Sequence, residues 1–83
     1  MQVEDERIVR LRTGDSIRGQ VRRLPESGCP FLMLRLKDGN RAEVRVSSEL
    51  RAQIVGKSLK VGDYIRVFAN SAHAHRLQFT KGR

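Results

Sequence analysis

The side chains in this chain with the most chemistry to offer are basic and aromatic, and their spacing makes them informative. Arg18, Arg22, Arg35, Lys37, Arg41, Arg45 and Arg66 all sit in stretches where apolar residues recur at every second position. In extended chain that period sends the cations to one side and the apolar residues to the other. A guanidinium group grips a phosphate through two parallel hydrogen bonds and stacks on a flat ring. Phe31, Tyr64 and Phe68 fall on the same side as the cations. Each is a candidate stacking platform, worth roughly 1 to 3 kcal/mol when a base lies on it. The competing use of these aromatics is packing beneath the aliphatic stems of arginines. For Arg35 the competing use is a pair with Glu43, its expected cross-strand neighbour, which at the surface contributes less than about 1 kcal/mol and does not exclude binding.

Other chemistries find little support. His73 and His75 are two apart but have no third ligand within reach by sequence, so no metal site is expected. Cys29 lies in a loop between Pro25 and Pro30 with no companion thiol, which suits an inert residue better than a nucleophile. No glycine-rich phosphate loop precedes a helix, and no carboxylate pair is placed for acid-base work. The expectation is a protein that is not an enzyme and needs no cofactor.

Charge narrows the choice of partner. The chain of 83 residues carries 17 Lys and Arg against 9 Asp and Glu, a net charge of +8. Glu4, Asp5 and Glu6 precede every basic residue, so from residue 7 onward all 17 cations face six carboxylates, an excess of +11. Such an excess opposes compaction unless a polyanion neutralises it, which points to nucleic acid or an acidic membrane surface. Sorting of the charge by face favours nucleic acid over a merely soluble basic protein. One cysteine makes no internal disulfide, and neither an apolar leader nor a long apolar run is present, so a cytoplasmic, reducing setting is expected.

The elements that must position these side chains follow from the same alternation. Phe31 to Val46 reads as a β-hairpin. Leu32, Leu34, Leu36, Ala42, Val44 and Val46 form one face, and Phe31, Met33, Arg35, Lys37, Arg41 and Arg45 form the other. To oppose Leu36 to Ala42 and Leu34 to Val44 the connection needs an odd number of residues, and Asp38, Gly39 and Asn40 fit, with Asn40 in the left-handed conformation. Before the hairpin, Ser16 to Leu24 is a strand with Ile17, Gly19 and Val21 inward and Arg18, Gln20 and Arg22 outward. Gly19 there marks a bend or a close backbone approach. Arg7 to Arg12 fits a short strand or a helical turn, and the reading leaves both open. After the hairpin, Ser48 to Val55 is a helix capped by Ser47 or Ser48 and ended by Gly56. Leu50 and Ile54 share its apolar face. Lys57 to Lys60 is a basic connector. Tyr64 to Ala69 and Arg76 to Thr80 complete the set, with Ile65, Val67, Leu77 and Phe79 inward, and Asn70 to Ala74 as a loop.

Five strands with a short helix between the third and the fourth is the order of the all-β oligonucleotide-binding (OB) barrel. Residues 1 to 83 then form one S1-like OB domain, with residues 1 to 6 a disordered acidic start and residues 81 to 83 a basic tail. Gly19-x-Val21, Leu32-x-Leu34-x-Leu36-x-Asp38-Gly39, Val46-Ser47 before the helix, and Gly62-Asp63-x-Ile65-x-Val67 together resemble the bacterial translation initiation factor one family over residues 16 to 83. The resemblance implies docking on the small ribosomal subunit against ribosomal RNA and a ribosomal protein, without catalysis; a monomer with no membrane partner is expected. By position it implies a role for Arg51, which matches a basic residue of the family's helix motif, although Glu49, Leu50 and Ala52 depart from that motif. The candidate nucleic-acid-binding set is thus Arg18, Arg22, Phe31, Arg35, Lys37, Arg41, Arg45, Arg51, Tyr64 and Arg66. Three other readings stand beside it. One is a general single-stranded nucleic-acid module. Another is an Sm-like ring, suggested by Gly14-Asp15-x-Ile17-Arg18-Gly19-x-Val21, which would assemble as a hexamer or heptamer. The last is a protein-interaction domain whose basic face meets an acidic partner.

Overall fold

The computed structural model describes residues 6–8, 12–70 and 73–81. The expectation of disorder for residues 1–5, part of the undecided stretch 7–12, and the last two residues of the basic tail lie outside the described residues.

Among the described residues, alternating apolar positions build six strands and one helix: β1 (Glu6–Ile8), β2 (Ser16–Arg23), β3 (Phe31–Arg35), β4 (Arg41–Arg45), α1 (Ser48–Gly56), β5 (Tyr64–Ala69) and β6 (Ala74–Phe79). The strands form one sheet in the order β1-β4-β3-β2-β5-β6. The five strands β2 to β6 pair antiparallel with their neighbours, while β1 runs parallel to β4. Residue 6 therefore opens a strand instead of belonging to a disordered start, and Arg7 and Ile8 are strand. This extra strand also moves the helix: it follows the fourth strand of the chain, not the third as expected, although it is third among the antiparallel ones.

The inward row carries the core, with Val21, Leu32, Leu34, Val44, Ile65, Val67 and Leu77 essentially removed from solvent. Strand β2 is long enough to serve two partners, since residues 16 to 20 pair with β5 and residues 20 to 23 with β3. Gly19 lies where it passes between them. A Cβ there would come within 2.8 Å of the Arg35 carbonyl oxygen, so the close approach anticipated from the sequence is real and admits only glycine without a shift. At the opposite side of the sheet Val46 forms an isolated parallel bridge to Ala74, and the Ser47 N–H donates to the Ala74 oxygen at 2.9 Å.

Ser47 is the helix cap, its hydroxyl accepting from the Leu50 N–H at 3.1 Å. Leu50 and Ile54 are buried as their spacing requires. The helix is also fastened by Gln53, whose amide donates to the His75 oxygen at 3.0 Å and accepts from the Leu77 N–H at 3.1 Å. One side chain thereby satisfies the outer edge of β6, which otherwise presents unpaired backbone. Lys57 to Lys60 is more than a connector, because Leu59 turns into the core.

Three expectations about the strands need correction. The β3–β4 register opposes Leu34 to Ala42 and Leu32 to Val44, so Leu36 does not face Ala42. The Gly39 N–H donates to the Leu36 oxygen and the Leu36 N–H to the Asn40 oxygen, which makes Lys37-Asp38-Gly39 the three-residue loop. Gly39, with φ of 90°, takes the left-handed position assigned to Asn40. Glycine holds that conformation without the Cβ clash asparagine would meet. Parity survived the shift, so the faces did not mix. Phe79 lies on the inward row opposite Ile65, yet is 46% exposed, because it ends the edge strand β6. Met33 was placed on the outward face but is buried, for a reason given below.

Candidate nucleic-acid interface

Strand pairing turns the outward alternation into rows that cross the sheet. One row runs Tyr64, Gln20, Arg35, Arg41 over β5, β2, β3 and β4. A second joins Arg18 to Arg66 and Gln78, and a third Arg23 to Met33 and Glu43. These rows decide which of the candidate cations meet.

Arg18, Arg35, Lys37 and Tyr64 come together. They line a groove of about 600 Å³ with Gly19, Gln20, Leu36 and Lys81. The groove exists because β3 ends at Arg35 and turns into its loop while β2 continues along β5, so the sheet parts between them. No lining residue is acidic, and among the described residues Arg18, Arg35, Lys37 and Lys81 take part in no ion pair. The nearby carboxylates are occupied by their own turns: Asp15 accepts from the Arg12 N–H, Asp38 from the Asn40 N–H and amide, and Asp63 from the Lys60 N–H. Asp and Gly at turns serve local geometry, and here that keeps these carboxylates out of ion pairs with the groove cations. Arg18 also donates to the Lys81 oxygen at 3.4 Å, and Gln20 to the Gly62 oxygen at 3.2 Å, which ties the groove wall to β5 and the chain after β6. Gln20 and Lys81 were absent from the candidate set. Gln20 was legible as an outward residue, whereas Lys81 is brought in only by the pairing of β6 with β5.

The remaining candidates are arranged differently. Arg66 stands beside Arg18 in its row, half-buried. Arg41 is half-buried next to Arg35 and makes contacts of its own. Arg22 is the extra residue of a β-bulge between Val21 and Arg23, so it has no place in the ladder rows, and Arg23 takes the position beside Met33. Arg23 then reaches across to Glu43 at 3.5 Å. That pair spans the strand that carries Met33, which covers Met33 from the outward side and explains its burial. Glu43 is accordingly the partner of Arg23 and not of Arg35, which faces Arg41. Phe31 and Arg45 are directly paired, with the guanidinium carbon 5.9 Å from the ring centre. Phe68 is covered in the same manner by Arg76 at 4.4 Å, a stacking arginine the sequence reading did not single out. Arg51 lies on α1 and donates to the Glu26 oxygen at 3.0 Å, which holds the 25–30 loop against the helix.

His75 is the bulged residue between Ala74 and Arg76, its Nδ1 3.0 Å from the Phe68 oxygen. Among the described residues no group of three or more His, Cys, Asp or Glu side chains is placed to hold a metal ion. No helix among them is long and apolar enough to cross a membrane. Compared with models of known protein families, with curated proteins and with solved structures, the chain matches none.

Proposed function

We propose that this chain is a non-catalytic RNA-binding module of the OB type, which holds RNA against its outward sheet face, with ribosomal RNA of the small subunit as its target. The observation that carries the reading is the groove in which Arg18, Arg35, Lys37 and Lys81 surround Tyr64 and Gln20 with no carboxylate among them. Four unneutralised cations around an exposed aromatic suit phosphates running past a stacked base. Few other ligands need both. The OB assignment is supported by the order of β2 to β6, by the isolated bridge from Val46, just after β4, to Ala74 of β6, and by the position of α1 after β4 with Leu50 and Ile54 in the core. The ribosomal target rests on the resemblance of residues 16 to 83 to translation initiation factor one. The protein acts as a monomer in the cytoplasm.

Binding of a short unstructured RNA falls with salt, the logarithm of affinity losing about 0.7 per phosphate neutralised for each decade of salt. Sedimentation with purified small ribosomal subunits, beside that titration, tests both parts. Co-sedimentation that outlasts competition by excess oligonucleotide supports the ribosomal target, and competition at stoichiometric oligonucleotide leaves a general single-strand module. Affinity independent of salt, or binding retained after Arg18, Arg35 and Lys37 all become Glu, removes the proposal.

A further inference from the structure

The groove has a floor that its charge does not explain. Backbone polar groups alternate in direction along a strand. The Asp15 oxygen accepts from the Ala69 N–H at 2.9 Å, the Val21 N–H donates to the Asp63 oxygen at 2.8 Å, and the Val21 oxygen accepts from the Gly62 N–H at 2.8 Å. Odd-numbered residues of this stretch thus turn their backbone to β5, and Ser16, Arg18 and Gln20 turn theirs toward β3. Gln20 finds Arg35 there. Arg18 has no rung there, because the β2–β3 pairing ends at Gln20 and Arg35, and among the described residues no backbone hydrogen bond from outside the strands reaches its N–H or C=O.

Beside these two groups lies a shallow, open slot of about 460 Å³ lined by Ser16, Ile17, Arg18, Leu36, Lys37 and Asp38. The slot runs into the larger groove, with which it shares Arg18, Leu36 and Lys37. It is an unpaired length of strand edge inside the sheet, and such an edge takes whatever presents an acceptor and a donor side by side. An extended peptide would do so, but the rim sets Arg18 and Lys37 against the single carboxylate of Asp38, which is held by the Asn40 N–H and amide, and the neighbouring platform is Tyr64. Charge complementarity therefore favours a nucleotide.

Resting on the RNA-binding reading above, we infer that the slot takes one unpaired nucleobase by its Watson–Crick edge, the Arg18 N–H donating to a base acceptor and the Arg18 C=O accepting from the adjacent base N–H. Leu36 and Ile17 give the base apolar flanks, and the phosphates on either side meet Lys37 and the Arg18 guanidinium. Every base offers an adjacent donor and acceptor on that edge, so the slot selects for an open edge more than for one base. A base already paired in a duplex cannot enter. Single-stranded RNA is thereby chosen over duplex, although the duplex is the denser polyanion.

The test compares oligouridine with oligo(3-methyluridine) of the same length at one salt concentration. Methylation at N3 removes the donor and adds bulk on that edge while it keeps every phosphate and the ring face. Oligouridine binding about tenfold or more tighter, with the same salt slope for both, is the expected result. Equal affinity overturns the slot and leaves the RNA-binding reading standing. Failure of oligouridine itself to bind removes both. Arg18→Pro and Arg18→Ala supply an independent arm, because both delete the guanidinium but only proline deletes the N–H. This N–H is outside the β5 ladder, so proline there breaks no strand pairing. The discrimination against the methylated oligomer is expected to persist in Arg18→Ala and to drop to within about twofold in Arg18→Pro. Persistence in a folded Arg18→Pro overturns the inference. If that variant fails to fold, protection of the Arg18 amide from exchange on adding oligouridine to the unmodified protein decides in its place, an unprotected amide counting against the slot.

Discussion

Two parts of the same sheet face treat their arginines in opposite ways. Where β2 parts from β3, Arg18, Arg35, Lys37 and Lys81 stand around an open groove without a carboxylate among its lining residues. Toward the other end of β3, Arg23 is held by Glu43, Arg45 lies over Phe31, and Met33 is buried beneath the ion pair. Both parts come from the same alternation of apolar and basic residues. Their difference teaches that a cationic strand face becomes a binding surface only where its charges lack partners within the fold. Surface ion pairs contribute little stability, but they decide which cations remain to meet a ligand.

The contrast can be broken most severely by charge reversal on each side. Arg18→Glu with Arg35→Glu should lower affinity for a short single-stranded RNA about 100-fold at 0.1 M salt, whereas Arg23→Glu with Arg45→Glu should lower it less than about tenfold. Fluorescence anisotropy measures this, with circular dichroism as a check on folding. Equal losses would erase the distinction between the two parts. A smaller effect is expected from the backbone contact that shapes the groove. In Gly19→Ala the new Cβ meets the Arg35 oxygen at 2.8 Å, and overpacking of this kind costs about 1 to 3 kcal/mol in urea unfolding. RNA affinity should fall with it, because Arg35 must move. Stability unchanged by that substitution would mean that β2 and β3 are not held as closely as described. The mildest probe is Glu43→Gln, which releases Arg23. It should cost under about 1 kcal/mol of stability and raise RNA affinity about twofold to threefold, so that the closed part begins to resemble the open one. A fall in affinity would show that Glu43 has another role.

How much of this was legible in the sequence depends on the range of the interaction concerned. Period-2 alternation identified the inward residues Leu32, Leu34, Val44, Ile65 and Val67, because burial of one strand face is written into each strand separately. Gly19 could be read as a bend or a close approach, and the contact with the Arg35 oxygen is the close approach. The helix was legible from Ser47, Leu50 and Ile54. The hairpin register was not, because two three-residue loops offset by one position keep the same parity, and only the fit of Gly39 to positive φ separates them. The bulge at Arg22 left no mark in the alternation, and it alone sends Arg23 to Glu43 and closes over Met33. The groove itself was beyond reach, since it depends on where β3 stops pairing with β2 and on Lys81 arriving from the far end of the chain. Phe79 was misplaced for a related reason: the inward row is known from sequence, but not whether anything covers its end.

The most direct test of the claim that unpartnered cations define the binding surface is an amide chemical-shift titration of the intact chain with a short unstructured RNA. Perturbations concentrated at residues 16 to 20, 35 to 38 and 64 and at Lys81, with residues 23, 31, 43 and 45 little changed, are the predicted result. Shifts as large around Arg23 and Arg45 as around Arg18 and Arg35, or none at all, would contradict it.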